Sequence, residues 1–282
     1  MTPMGVSSGR MAAAMAVAGL LAVAMAACGN QPPDVDVPSG KEPTAVWGEP
    51  SGRFEGEPPK AVLMLIHGGG WEGVNRGLLQ ATLQQAPIYE ALGFATMSID
   101  YGPGPEGLED VERFYAEARK RAGPNTPVCA VGGSAGGHLA LLLAEREPTL
   151  DCVVAEVSPT DLTSLRTSGV TEAKTATQTA VSAFGQGGLA RFSPVLHADS
   201  IQADVFLLYS QNDPLIAPEQ GEAMKQALPQ ATLIVLGPGD RTFGHITQDQ
   251  AEGGGGVDPG ELDQARAEET AFLERVAAEP QG

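Results

Sequence analysis

A serine flanked by glycines is the first feature of the chain that could carry out chemistry. The pattern Gly-x-Ser-x-Gly occurs twice, at Gly5–Gly9 and at Gly132–Gly136. Only Ser134, in the second copy, lies between an apolar run that predicts a buried strand and a segment whose apolar spacing predicts a helix. A sharp strand-to-helix turn of this kind lifts a serine hydroxyl above the edge of a sheet, where it can act as a nucleophile. Glycines suit positions 132 and 136 because a Cβ there would collide at the tight crossing.

A second motif, His67-Gly68-Gly69-Gly70, directly follows another predicted buried strand. Backbone N–H groups of glycine have no side chain in the way, so they can donate to an oxygen that becomes negative in a transition state. An ordinary glycine-rich loop is the alternative interpretation. In a chain of this composition, His-Gly-Gly-Gly is expected by chance about 0.01 times. Its rarity favours an oxyanion-binding role over an ordinary loop.

A third glycine pattern, Gly102-Pro103-Gly104-Pro105-Glu106-Gly107, fits the dinucleotide-binding fingerprint. Pro103 and Pro105 lack the N–H groups that would bind a pyrophosphate, and no acidic residue closes the next strand about 20 residues on to hold a ribose. Nucleotide binding is therefore not expected. The sequence also has no His-Glu-x-x-His, no Cys-x-x-Cys and no histidine cluster, so we expect neither a metal ion nor a cofactor.

Strands and helices alternate through most of the chain, which predicts an α/β fold with a mostly parallel sheet and helices on both faces. The connection from Ser158 to Ser200 is the longest and is expected to hold extra helices. The predicted strands are Ala61–Ile66, Phe94–Ile99, Pro127–Val131, Val153–Val157, Val205–Tyr209 and Thr232–Leu236, and the predicted helices are 77–92, 106–122, Ala135–Arg146, 216–228 and 261–278.

Composition excludes several classes of protein. The chain has 282 residues, 42% of them apolar, with 17 Lys+Arg against 35 Asp+Glu and a formal charge of −18. This apolar content is enough for a core and excludes disorder as the main state. The acidic balance excludes an electrostatic binder of nucleic acid, which needs a basic face.

The N-terminus predicts export. An uninterrupted apolar stretch of 17 residues runs from Met11 to Ala27, which is short for a membrane span and typical of a signal peptide over residues 1–27. Ala24-Met25-Ala26-Ala27-Cys28-Gly29 resembles the lipobox of bacterial lipoproteins, with Met25 where Leu or Val is usual. The resemblance implies that Cys28 is acylated and anchors the chain in a cell-envelope membrane. Cleavage after Ala26, which would give a secreted protein, and an uncleaved anchor are the alternatives.

The polar, proline-punctuated residues after Cys28 predict a tether over 28–43 ahead of one domain over 44–282. Export changes the interpretation of the two other cysteines. Cys129 and Cys152 form an even pair in an oxidising compartment, each near the start of a predicted strand. A disulfide and a pair of small buried thiols are both compatible with the sequence.

With its serine turn and its glycine loop in strand order, the chain resembles the α/β-hydrolase fold over about residues 45–279. It is most similar to the hormone-sensitive-lipase-like and feruloyl-esterase-like carboxylesterases, which carry His-Gly-Gly-Gly and Gly-x-Ser-Ala-Gly. Leu108-Glu109-Asp110-Val111, Ser193-Pro194 and Asp213-Pro214-Leu215-Ile216 also fit these families. One departure is Gly102 after Tyr101, where Tyr-Arg-Leu is often found, and it leaves the subfamily and the substrate open.

The resemblance implies a catalytic triad in the chain order serine, acid, histidine. Of the four histidines, only His245 follows a suitable acid. Asp213, just beyond the strand Val205–Tyr209, is the predicted acid, with Asp240 second and Asp161 and Glu156 behind it. The other histidines, His67, His138 and His197, are expected to be structural.

In this interpretation His245 takes the proton of Ser134, Asp213 orients the imidazole, and the N–H groups of Gly69, Gly70 and Ala135 bind the oxyanion. The expected function is hydrolysis of small carboxylic esters by an envelope-tethered enzyme, with a small-molecule ester, a membrane and no nucleic acid as partners. A serine peptidase of the same fold is one alternative. A catalytically silent lipoprotein that uses the cleft for binding is another.

Overall fold

The computed structural model describes residues 39–167, 171–211, 213–237 and 259–279. The predicted signal peptide, Cys28 and most of the predicted tether lie outside the described residues, so those predictions stand as made. Within the described part of the chain, no helix is both long enough and apolar enough to cross a membrane.

A seven-stranded sheet in the order β1-β3-β2-β4-β5-β6-β7 forms the centre of the molecule. Among the strands of the described ranges, only β1 is antiparallel to its neighbour, and the other six are parallel. The strands are β1 Ala45–Gly48, β2 Val62–Ile66, β3 Ala95–Ile99, β4 Val128–Gly133, β5 Cys152–Glu156, β6 Asp204–Ser210 and β7 Thr232–Leu236. The helices are α1 Arg76–Glu90, α2 Gly104–Ala122, α3 Ala135–Arg146, α4 Thr171–Phe184, α5 Glu219–Ala227 and α6 Pro259–Ala278.

Both faces of the sheet are covered by helices. Successive side chains along a buried strand point to opposite faces, so each strand contributes to both cores. In β2, Val62, Met64 and Ile66 pack into one core, while Leu63 and Leu65 pack into the other. Buried side chains of α2, α3, α4 and α5 fill the first core, and those of α1 and α6 fill the second. The predicted α/β fold with helices on both faces is confirmed.

The six strands predicted from apolar runs are present, and the structure adds the edge strand β1. In the long connection from Ser158 to Ser200, α4 is accompanied by two 3₁₀ segments, Ser164–Thr167 and Pro194–Ser200. α4 packs against the loops that follow β2 and β3: a Cβ on Gly70 would lie 2.8 Å from the Thr179 methyl carbon, and one on Gly104 would lie 2.5 Å from the Ala183 carbonyl oxygen.

Cys129 and Cys152 form a disulfide between the starts of the neighbouring strands β4 and β5. They are paired residues in the parallel register, with Cα atoms 4.5 Å apart and sulfur atoms bonded at 2.10 Å. Both are buried. Of the two arrangements that the sequence allowed, the structure has the disulfide.

Candidate active site

Ser134 occupies a strained turn between β4 and α3. Its backbone has φ 53° and ψ −124°, in the left-handed region that side chains other than glycine rarely adopt. The turn is held on both sides, because the Ser134 N–H donates to the Glu156 carbonyl at 2.8 Å and the Ser134 carbonyl accepts from the His138 N–H at 3.0 Å. The serine is half-buried at the carboxyl edge of the sheet, where ligands of open α/β sheets bind.

The glycines around Ser134 allow this turn to pack against the neighbouring strand. A Cβ on Gly136 would lie 2.0 Å from the Ile66 carbonyl oxygen, and one on Gly132 would lie 2.6 Å from the Gly136 carbonyl carbon. These distances are too short for any side chain. The sequence-based argument for glycine at both positions is confirmed.

The glycine loop after β2 lies beside this turn. A Cβ on Gly68 would be 3.4 Å from the Cβ of Ser134, so the loop and the serine are in van der Waals range. Gly69, Gly70 and Trp71 have φ values of 104°, 64° and 60°, which fold the backbone into a tight curve. Within the described residues, the N–H groups of Gly69, Gly70 and Ala135 have no acceptor.

The Tyr101 hydroxyl contacts the carbonyl oxygens of His67 and Gly68 at the start of the loop. It lies 2.8 Å from the His67 carbonyl oxygen and 3.0 Å from that of Gly68, and the Tyr101 ring stacks on the His67 imidazole with centroids 4.4 Å apart. Burial raises the pKa of the Tyr101 hydroxyl well above its usual value of 10.0, with a further contribution from Asp100. The hydroxyl therefore keeps its proton and is a donor to these carbonyls.

Asp100, which directly follows β3, is the charged centre beneath the loop. It is 0% exposed and accepts from the His67 Nε2 at 3.0 Å, the Arg76 Nη1 at 3.0 Å and the Tyr101 N–H at 3.0 Å. The Asn75 N–H lies 2.9 and 3.1 Å from its two carboxylate oxygens. Sequence analysis did not single out Asp100. The available signal was its position, directly after a strand and at the same edge as Ser134.

The far end of the loop is anchored in an aromatic cluster. The Trp71 Nε1–H donates to the His138 Nδ1 at 3.1 Å, and the His138 Nε2 lies 2.8 Å from the Phe192 carbonyl oxygen. Phe184 of α4 contacts the Trp71 and Phe192 rings, with centroids 5.2 and 4.6 Å apart. Burial lowers the pKa of His138 to about 4, so it is a neutral structural residue. The prediction of a structural role for His138 is confirmed.

Asp213 lies after β6, two strands away from β4 and at the same edge of the sheet. It is 7% exposed, and its Oδ1 accepts from the Leu215 N–H at 2.8 Å and the Ile216 N–H at 2.9 Å. Two backbone donors hold the carboxylate in one orientation. This geometry suits an acid whose task is to hold an imidazole in one orientation.

The lower-ranked acids have structural contacts. Asp161 accepts from the N–H groups of Thr163 and Ser164 at 2.8 and 3.2 Å, and so closes its own turn. Glu156 forms an ion pair with Arg266 of α6. Asp204, at the opposite end of β6, pairs with Arg275 at 2.8 Å and faces away from the site.

The predicted base His245 and the alternative acid Asp240 lie outside the described residues. The last described residue before them is Gly237, which follows β7 beside β6. His197 is half-buried in the 3₁₀ segment after Ser193. The structure therefore brings together Ser134, the glycine loop and the edge that carries Asp213, and does not test the position of His245.

The nucleotide and metal alternatives gain no support from this geometry. The N-terminus of α2, where the Gly102–Gly107 pattern would hold a pyrophosphate, is covered by α4 through the contact of Gly104 with the Ala183 carbonyl. The Gly102 N–H is already used by Asp110 Oδ2 at 2.9 Å. No group of three or more His, Cys, Asp or Glu side chains in the described ranges could hold a metal ion.

The sheet order, together with the strained turn between β4 and α3, defines an α/β-hydrolase type of fold. Comparison with family models places the chain more narrowly: residues 54–228, more than half of its length, match the BD-FAE family. The chain belongs to the BD-FAE family. No curated protein matches its sequence.

Solved structures share the fold at low sequence identity. A puromycin-hydrolyzing peptidase from Mycobacterium tuberculosis is 19% identical with a TM-score of 0.63, over 84% of this chain and 38% of that chain. An acetyl ester-xyloside bifunctional hydrolase from Caldicellulosiruptor lactoaceticus is 16% identical with a TM-score of 0.63, over 88% and 93%. A truncated carbohydrate esterase from gut microbiota is 18% identical with a TM-score of 0.59, over 80% and 88%. The chain thus spans well under half the length of the peptidase and nearly the whole length of the acetyl ester-xyloside hydrolase.

Proposed function

We propose that the protein is a serine hydrolase that cleaves small carboxylic esters through an acyl-enzyme. Ser134 Oγ attacks the ester carbonyl carbon while His245 takes its proton, and the carbonyl oxygen becomes an oxyanion. When the oxyanion collapses, the bond to the alcohol breaks and the alcohol leaves with the proton from His245. Water, activated by the same imidazole, then hydrolyses the acyl–Ser134 ester.

The observation that carries this proposal is a set of backbone N–H groups without acceptors in the described residues, close to a serine in a strained turn. The N–H groups of Gly69, Gly70 and Ala135 have no acceptor in the described part of the chain. Ala135 follows Ser134 directly, and the glycine loop approaches Ser134 at Gly68. Gly69 and Gly70 are half-buried at the edge of the sheet, so their N–H groups are available to an oxygen that binds there during the reaction. Removing one oxyanion donor costs about 10²–10³ in kcat in a serine hydrolase.

Small acyl groups on carbohydrate alcohols are the substrate class we favour. The Thr179 Oγ1 donates to the Thr175 carbonyl at 3.0 Å, and its methyl carbon lies 2.8 Å from where a Cβ on Gly70 would be. A helix wall this close to the proposed oxyanion donors favours a short acyl chain. The match over nearly the full length of an acetyl ester-xyloside hydrolase supports the same class.

A hydrolysis panel tests this proposal. p-Nitrophenyl esters of increasing acyl length, acetylated xylosides, feruloyl esters and peptide amides are each incubated with the wild type, with Ser134→Ala and with Ser182→Ala. Ser182 is an exposed serine on α4 and serves as the matched control. We expect acetyl esters to be hydrolysed fastest by the wild type and the control, and no turnover by Ser134→Ala. Turnover of acetyl esters by Ser134→Ala would contradict the assignment.

The second candidate function is a serine peptidase, favoured by the similarity to a puromycin-hydrolyzing peptidase. The same chemistry cleaves an amide if the leaving amine is protonated by His245. Faster turnover of peptide amides than of acetyl esters in the panel would select it. A silent binding protein would hydrolyse neither class.

We also propose that the enzyme is tethered to the cell envelope through a lipid on Cys28. The apolar stretch and the lipobox-like sequence support export, and the Cys129–Cys152 disulfide suits an oxidising compartment. The last residues of the predicted tether are bonded to the domain, since Arg76 donates to the carbonyls of Gly40 and Glu42, each at 2.7 Å from Nη2. Incorporation of radiolabelled fatty acid into the wild type, absent from Cys28→Ala, is the expected result. Wild-type protein that is unlabelled and free in the medium would instead indicate cleavage by an ordinary signal peptidase.

A further inference from the structure

Two buried histidines flank the glycine loop, and their hydrogen bonds differ. His138 has one donor and one acceptor as neighbours, because the Trp71 Nε1–H points at its Nδ1 and the Phe192 carbonyl faces its Nε2. A neutral imidazole with the hydrogen on Nε2 satisfies both contacts. This agrees with the low pKa of His138, about 4, that burial produces.

His67 instead faces an acceptor at each ring nitrogen. Its Nδ1 lies 2.7 Å from the Gly68 carbonyl oxygen, and its Nε2 lies 3.0 Å from Asp100 Oδ1. A carbonyl oxygen can only accept. Asp100 also accepts hydrogen bonds from Arg76, Asn75 and Tyr101, so its carboxylate faces His67 as an acceptor. The His67 side chain is 2% exposed, so no solvent can replace either partner.

We infer that His67 carries a hydrogen on both ring nitrogens and acts, as an imidazolium, as the positioning residue of the oxyanion loop. A neutral ring would turn one bare nitrogen lone pair towards an oxygen lone pair in a buried site. The charged groups that face His67 are Asp100 from the end of β3 and, through it, Arg76 of α1, while the stacked Tyr101 is an uncharged phenol. One carboxylate between two cations leaves a net charge of +1 beneath the loop.

The geometry of the peptide bond shows how His67 would act on the loop. In a trans peptide the C=O and N–H groups point in opposite directions. The Gly68 carbonyl is held by His67 Nδ1 and by the Tyr101 hydroxyl, at 2.7 and 3.0 Å. The Gly69 N–H is therefore aimed away from His67, and it has no acceptor among the residues that the structure describes. The imidazolium fixes one proposed oxyanion donor and adds a positive charge behind it.

The effect on the rate rests on the proposed hydrolase function. A unit charge about 10 Å from an oxyanion, at an effective dielectric constant of about 20, changes the rate by roughly tenfold. We expect His67→Gln to lower kcat for acetyl esters by about tenfold or more, with KM changed less than about twofold. A merely structural role would lower the fraction of active enzyme and leave the kcat per labelled active site unchanged.

The test that does not depend on activity is nitrogen NMR of the full mature protein labelled with ¹⁵N-histidine. The chain has four histidines, and His67→Gln assigns its signal directly. If His67→Gln does not fold, variants of the other three assign it by difference. At pH 7.5 we expect both His67 nitrogens to be protonated, while His138 serves as the internal control with one protonated and one bare nitrogen.

A bare ring nitrogen on His67 at pH 7.5 would overturn the inference. Unchanged kcat per labelled site in His67→Gln would overturn its proposed effect on the oxyanion loop. If the wild type hydrolyses none of the substrates, the proposed function fails, but the NMR measurement still decides whether His67 is an imidazolium. The two failures are therefore distinguishable.

Discussion

Removing the disulfide between Cys129 and Cys152 is expected to lower thermal stability without changing any proposed catalytic group. The two cysteines are 23 residues apart in sequence and join paired positions of β4 and β5. Closing a loop of this length in the unfolded chain corresponds to about 3.4 kcal/mol at 25 °C. For a domain of the predicted length, about 240 residues, the entropy of unfolding is about 0.5 kcal/mol/K, so Tm should fall by about 7 °C.

The assay compares thermal unfolding of the oxidised protein, of the protein unfolded and refolded with reductant, and of the double variant Cys129→Ala/Cys152→Ala. The reduced wild type keeps both sulfur atoms and isolates the effect of the cross-link. In the double variant, lost packing of two buried sulfurs adds to the loss. Peptide mass spectrometry of the non-reduced protein should find the two cysteines joined. Oxidised and reduced protein with the same Tm would refute the reasoning.

Three further predictions concern the turn, the acid and a buried histidine. Gly136→Ala should abolish activity and lower stability by about 1–3 kcal/mol or more, because its Cβ would lie 2.0 Å from the Ile66 carbonyl oxygen. Gly187→Ala is the control, since no atom lies near its Cβ, and it should leave activity and stability unchanged. Asp213→Asn should lower kcat for p-nitrophenyl acetate by about 10⁴ while Asp240→Asn leaves it nearly intact, and the reverse order would move the acid to Asp240. His138 has a folded-state pKa of about 4 against its usual 6.5, so the unfolded chain takes up a proton first as the pH falls. Urea unfolding should therefore show about 3 kcal/mol of stability lost between about pH 6.5 and pH 4 beyond any loss in His138→Gln, and equal losses in both would contradict this.

Much of the fold could be predicted because the central strands are continuous apolar runs. A strand such as Val62–Ile66 is buried on both faces and has a pattern that its own sequence reveals. The edge strand Ala45–Gly48 was missed, because it is four residues long, only half-buried along its length and held by pairing with β3. A short edge strand depends on a partner far away in sequence, which local patterning does not report.

The same distinction between local and long-range contacts separates the site residues that the sequence predicts from those that it does not. Ser134 and Gly69 could be found because tight backbone turns need particular residue types at fixed spacing. The cluster of His67, Asp100 and Arg76 could not be found, since its three members come from different segments and meet only when β2 and β3 pair. The pairing of Cys129 with Cys152 likewise depends on the register of two strands, which the sequence leaves open.

The most direct test of the central claim is to find where an active-site probe reacts. A fluorophosphonate is incubated with native and with unfolded protein, and the modified residue is identified by peptide mass spectrometry. The account predicts a stoichiometric adduct on Ser134 in the native wild type, no adduct after unfolding, and a rate of labelling reduced by orders of magnitude in His245→Ala. An adduct on another serine, or native protein that stays unlabelled, would contradict it.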